Sequence, residues 1–113
     1  MKKLGCFIVI CLTVSACEKG GTIDSFTIPS DPKGVYVVLE KSGEGNERTI
    51  LTKREGPSGT TYSKRLYNCA ENTVKYLGTG STMEAMNASP ADPNMAPITD
   101  SSIAHYLGLK ACA

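Results

Sequence analysis

Residues 35–77 read VYVVLEKSGEGNERTILTKREGPSGTTYSKRLYNCAENTVKYL, and this stretch decides the fold. Val35 to Lys41 is β-branched and aromatic, as a half-buried pleated strand requires. Ser42-Gly43-Glu44-Gly45-Asn46 is turn chemistry, and Glu47 to Lys53 returns as the second arm of a hairpin. Gly56-Pro57-Ser58-Gly59 marks the next turn. Thr60 to Cys69 alternates, with Tyr62, Lys64 and Leu66 on one face and Arg65, Tyr67 and Cys69 on the other. Glu71-Asn72 turns the chain into Thr73 to Leu77, which Gly78 and Gly80 close. Consecutive strands joined by tight turns predict an antiparallel meander with one face covered. Upstream, Thr22 to Ile28 is a candidate edge strand, ended by Pro29 and Pro32. The expected sheet therefore has four to five strands.

Downstream the pattern changes. Ser81 to Met86 has the makings of a short helix, but Pro90, Pro93 and Pro97 prevent regular structure after it. Residues 79–97 are thus expected to form the longest loop, where Met83, Met86 and Met95 either plug the edge of the core or line an adaptable contact surface. Asp100 or Ser101 is placed to cap a last helix, Ser102 to Ala111. Ile103, Tyr106, Leu107 and Lys110 follow helical spacing and form the stripe that would lie on the sheet. The predicted fold class is α+β: a small antiparallel β-meander and one packed C-terminal helix, in a domain spanning residues 34–113 and stapled by one disulfide.

The other end of the chain has a different character. Met1-Lys2-Lys3 is a short positive segment, and Leu4 to Val14 is an uncharged apolar stretch of 11 residues. Small residues Ser15-Ala16 then precede Cys17. This is the layout of a secretory signal, 1–16. The apolar stretch is well short of the ~20 residues a transmembrane helix needs, and Glu18-Lys19-Gly20-Gly21 ends it. Residues 17–33, rich in Gly, Ser, Thr, Asp and Pro, are expected to act largely as a flexible tether.

Of five cysteines, Cys6 and Cys11 leave with such a signal. Cys17 directly follows the signal, and beyond it the chain has Cys69 and Cys112. An exported chain meets an oxidising compartment, so these two are expected to pair, with two free thiols as the alternative. No C-x-x-C spacing supports a redox-active pair. A loop of that length would contribute about 4 kcal/mol on the chain-entropy argument. For a chain of 113 residues, less its leader, such a staple matters.

Composition narrows the chemistry. The chain carries 12 Lys plus Arg against 11 Asp plus Glu, and without Lys2 and Lys3 the balance is 10 against 11. That charge gives no basis for a nucleic-acid partner. The single histidine, His105, has no Cys or carboxylate at ligand spacing and no G-x-S-x-G partner, so neither a metal, another cofactor nor an enzymatic activity is expected. The basic pairs Lys53-Arg54 and Lys64-Arg65 are expected on a solvated sheet face, where they have the charge to touch anionic head groups or sugars.

Two resemblances follow from quoted residues. Val14-Ser15-Ala16-Cys17 resembles the lipobox of bacterial lipoproteins, with Val where Leu is more usual. The resemblance implies a thioether to diacylglycerol at Cys17, cleavage before it, and acylation of the new amine. One acyl chain anchors marginally, two or more hold firmly. Glu18, in place of the Asp that favours inner-membrane retention in enteric bacteria, leans towards the outer membrane in a Gram-negative source. Separately, Asn94-Met95-Ala96-Pro97-Ile98, Ser102-Ile103-Ala104 and Ala111-Cys112, with an upstream strand cysteine, are similar to the ending of small lipoproteins related to surface-adhesin protein E. That resemblance covers residues 60–113 and implies a sheet-and-helix domain that binds host or envelope partners; it carries over no binding residue. The expected function is that of a membrane-anchored, non-enzymatic envelope protein that binds another protein or surface component. The alternative is an envelope inhibitor or exclusion factor acting through the 79–97 loop.

Overall fold

The computed structural model describes residues 24–113; Cys17 and the segment before it lie outside the described residues. Six strands form one antiparallel sheet in strict sequence order: β1 (Ser25–Ile28), β2 (Asp31–Glu44), β3 (Glu47–Gly56), β4 (Gly59–Asn68), β5 (Thr73–Gly80) and β6 (Ala96–Pro97). Helix α1 (Met83–Ala88) falls between β5 and β6, and α2 (Ile103–Ala111) ends the chain. No helix among the described residues is long and apolar enough to cross a membrane.

The α+β class and the meander are as the sequence predicts, but the sheet is larger than four to five strands. Its first strand, Ser25–Ile28, lies within the expected edge strand and stops before Pro29; with Ile28 buried in the core beside Tyr36, this part of the 17–33 segment is strand rather than tether. Pro32 falls inside β2. It sits at the irregularity of the β1–β2 ladder between Phe26–Tyr36 and Ile28–Asp31, and pairing with β3 begins only at Val35, so Pro32 has no partner residue on either neighbour. Gly78 and Gly80 do not end β5 either; they are part of it.

Each face of the sheet carries its own helix. On one face Ile28, Tyr36, Ile50 and Tyr67 pack under Leu107 and Ala111 of α2. Gly108 is the reason α2 lies so close: a Cβ there would sit 2.8 Å from the Tyr67 ring. Of the expected stripe, Leu107 is in the core and Ile103 and Tyr106 pack against it, while Lys110 does not. Leu107, Gly108 and Ala111 face inward, whereas Lys110 is exposed, its ammonium 4.2 Å from the Phe26 ring centre. Burying a glycine and an alanine brings the helix backbone close to the sheet, which a bulkier stripe would forbid.

Helix α1 lies on the opposite face, and a β-bulge makes this possible. Arg65 is opposite Tyr76, but Lys64 is opposite Gly78, so Leu77 is an extra residue on β5. One inserted residue reverses the facing of everything beyond it. Tyr76 therefore shares the α2 face with Arg65, while Gly78 and Gly80 face α1. The Cβ that Gly78 lacks would collide with the Met86 carbonyl, and Met86 is buried there. Thr82 caps α1 by accepting a hydrogen bond from the Ala85 amide.

Both ends of α2 are tied down. The cap is Ser102, not Asp100 or Ser101. Its hydroxyl accepts from the His105 amide at 3.1 Å and donates to the Thr99 carbonyl at 2.6 Å. Ser101 is in the left-handed region (φ 67°) and turns the chain into the helix. At the other end Arg48 of β3 donates to the carbonyls of Ala111 and Ala113. The Cys69–Cys112 disulfide then joins the end of β4 to the end of α2, with Cα atoms 5.9 Å apart. Tyr67, two residues before Cys69, donates its hydroxyl to the Ala104 carbonyl at 2.6 Å. Burial pushes the Tyr67 phenol up to about 12.

Candidate functional site

The two Lys-Arg pairs are not a solvated face. Strand alternation sends each lysine and its arginine to opposite sides of the sheet, and the pairing of Arg54 with Thr61 and Arg65 with Ile50 puts both arginines on the α2 side. Lys53 pairs with Glu55 on the same strand at 3.1 Å. Arg54 makes a forked contact with Asp31, Nε to Oδ2 at 2.6 Å and Nη2 to Oδ1 at 3.0 Å. Tyr36 donates its hydroxyl to the same carboxylate at 2.5 Å. The Arg54 hydrogen bond, with Tyr36 second, holds the Asp31 carboxyl down at about 2. Burial, then the bond to Asp31, pushes the Tyr36 phenol up to about 12. This cluster is closed: every strong partner has another within the fold.

Arg65 is in a different situation. It lies in the middle of β4 with a relative exposure of 6%. Its Nη2 donates to the Tyr76 hydroxyl at 2.9 Å, and its Cζ lies 4.6 Å from the Tyr76 ring centre. Its Nη1 is buried and has no hydrogen-bond partner among the described residues. Ion pairs among the described residues are Lys53–Glu55 and Arg54–Asp31, so no carboxylate neutralises Arg65. A guanidinium offers five N–H donors and favours a forked oxygen partner. Burying one without an anion is expensive.

Arg65 borders an open cleft of about 320 Å³ between β5 and the start of α2. Val74 and Tyr76 of β5 and Ile103 and Ala104 of α2 line it. Asp92 and Ala96, from the 79–97 segment, line it as well. Asp92 is held by two bonds to the β5 edge: its amide donates to the Tyr76 carbonyl at 2.9 Å, and its carboxylate accepts from the Tyr76 amide at 3.4 Å. The segment, in which a short helix was expected before an irregular run, is anchored at both ends, by α1 and by β6 against Thr73 and Val74. Of its methionines, Met86 plugs the core edge and Met83 is exposed at 40%.

The remaining candidates fall as follows. Cys69 and Cys112 are brought together as a disulfide. His105 packs edge-on against Tyr106, ring centres 5.0 Å apart, and its hydrogen bond to Ser102 uses only its backbone. No group of three His, Cys, Asp or Glu among the described residues is arranged to hold a metal ion. Cys17 lies outside the described residues. Reading the sequence as a solvated basic face missed Arg65. The signal was present: alternation already placed Arg65 beside Tyr67 and Cys69, on the side that a disulfide to the helix must cover. Comparison with protein families, with characterised proteins and with solved structures finds no match to this chain.

Proposed function

We propose that this chain is a non-enzymatic binding protein of the bacterial envelope, exported by residues 1–16 and held on the membrane by acyl chains on Cys17. The observation that carries the reading is the Cys69–Cys112 bond, which uses both cysteines outside the N-terminal segment and suits a protein that matures in an oxidising compartment. The binding surface is the β5–α2 edge, where the cleft beside Arg65 opens under the 79–97 segment. An inhibitory or exclusion role through that same segment is the second reading, favoured by Met83, whose side chain stands exposed at the start of α1.

Intact mass of the protein from the membrane fraction, with and without reductant, tests the proposal. The expected mass is that of Cys17 to Ala113 plus acyl chains, gaining two hydrogens on reduction. An unacylated, soluble product would overturn the anchor. An uncleaved chain would make the N-terminus a membrane-inserted segment and return Cys6 and Cys11 to the thiol count.

A further inference from the structure

The geometry points to the Arg65 cleft as a receptor for a single carboxylate carried on a small apolar group, the terminal residue of a peptide. This deepens the binding role proposed above and rests on it, but lipid attachment plays no part in the argument.

Two independent elements bring positive character to one place. The first is Arg65, which borders the cleft, is more than nine-tenths buried and has no carboxylate partner among the described residues, with Nη2 held by Tyr76 so that the planar group has a fixed direction. The second is the first turn of α2, a helix of nine residues whose Ser102, Ile103 and Ala104 border the same cleft. The opening amides of a helix have no intrahelical acceptor and carry the positive end of its dipole. The Ser102 amide already donates to the Thr99 carbonyl and the Ser102 hydroxyl satisfies the His105 amide, which leaves those of Ile103 and Ala104 for a ligand.

Charge and wall chemistry select the ligand. The charged side chains on the α2 side of the cleft are Arg65 and Asp92, since Lys75, paired with Leu66, leaves from the other face of the sheet. A single guanidinium suits a monoanion. A phosphate dianion would face Asp92 and would need more donors than one guanidinium and one helix turn present. The walls other than these groups are apolar: Val74, Ala96, Ile103 and Ala104. The volume, about 320 Å³, is at the small end of ligand cavities, roughly 300–1,000 Å³. A carboxylate with one small apolar side chain fills it, and the open rim lets the rest of a peptide leave. A planar carboxylate also matches the guanidinium fork.

The test is calorimetric titration of the purified full chain with N-acetyl-alanyl-alanine as the free acid, its C-terminal amide, acetate and inorganic phosphate. Saturable binding of the free acid is expected, weakened about tenfold or more for the amide, which forfeits a charge-assisted bond. Acetate is expected to bind at least about tenfold more weakly, because it leaves the apolar walls unfilled. Phosphate is expected not to compete. Arg65→Lys keeps the charge, loses the fork and should weaken the acid about tenfold. Asp92→Asn should tighten it about twofold to fivefold. Equal affinity for acid and amide, equal affinity for acetate, tighter binding of phosphate, or no binding at all would each overturn the proposal. So would an Asp92→Asn variant that loses folded stability without changing affinity, since Asp92 would then be the internal counter-ion of Arg65. The amide comparison needs no variant and so does not depend on Arg65→Lys folding. Failure of the titration with an acylated Cys17 product in the membrane fraction would sink the cleft and leave the anchored role standing; a soluble, unacylated chain that binds the dipeptide would do the reverse.

Discussion

Arg54 and Arg65 come from the same dipeptide, Lys-Arg, on adjacent strands, and both point to the same side of the sheet. One is answered from within the fold, the other is not. Asp31 reaches Arg54 because the tight β1–β2 turn brings the start of β2 across the end of β3; Tyr36 then completes the cluster. Arg65 sits opposite Tyr76 at a bulge, and its nearest polar partner is a phenol. The fold pairs one guanidinium with a carboxylate and leaves the other bordering an open cleft, with no carboxylate partner among the described residues. The first arginine holds strands together.

The largest expected effect comes from removing what holds the cleft's second wall. Replacing both Cys69 and Cys112 by Ser should lower stability by about 4 kcal/mol in chemical denaturation, from the loss of a long loop constraint. Leu107→Ala, which empties a fully buried site under α2, should lose about 2–5 kcal/mol. Either change should weaken dipeptide binding at the cleft. Neither should remove the acid sensitivity set by Asp31, which draws on β1–β3 alone.

The comparison itself is broken or kept by two matched substitutions. Arg65→Met removes a buried cation that has no carboxylate partner among the described residues and roughly keeps its volume, so the unfolding free energy in urea should stay within about 1 kcal/mol of the parent or rise. Arg54→Met leaves Asp31 without its forked partner, so the midpoint should fall. Two equal losses would mean that Arg65 is as fully satisfied as Arg54, and the contrast would disappear.

The smaller effects are those of pH. Asp31 titrates at about 2 when folded, below its ordinary 3.8. The unfolded chain therefore takes up the proton first, and the stability this carboxylate contributes is present above about 4 and lost as pH falls to about 2. Asp31→Asn should flatten that acid transition, and Arg65→Met should not. At the other extreme Tyr67 is held up at about 12 by burial, from an ordinary 10.0. Here the folded chain keeps the proton, so the contribution is present below 10 and lost as pH rises towards 12. Tyr67→Phe should reduce the alkaline loss, at the expense of the bond to the Ala104 carbonyl. Unfolding midpoints followed from acid to alkaline pH would measure both.

Much of the sheet was legible because turns and alternation are local. Ser42 to Asn46 and Gly56 to Gly59 mark two hairpins whatever lies above them. The start of β2 was less legible, since Pro32 looks like a stop until the pairing is seen. The inward stripe of α2 was legible at Ile103, Tyr106 and Leu107 but not at Gly108 and Ala111, and it wrongly took in Lys110. Gly108 and Ala111 carry little hydrophobic signal, yet their small size is what lets the helix approach Tyr67. β6 was illegible in Ala96-Pro97, because so short an edge strand exists only through pairing with Thr73 and Val74.

By itself the sequence determined the meander, the final helix and the pair of cysteines left to join them, because periodicity, turn residues and cysteine count are properties of short segments. Only the tertiary structure decided the surroundings of each arginine. A strand says which side a side chain leaves from. Whether an anion waits there depends on residues far along the chain, brought near by a turn in one case and kept away by a bulge and an open edge in the other.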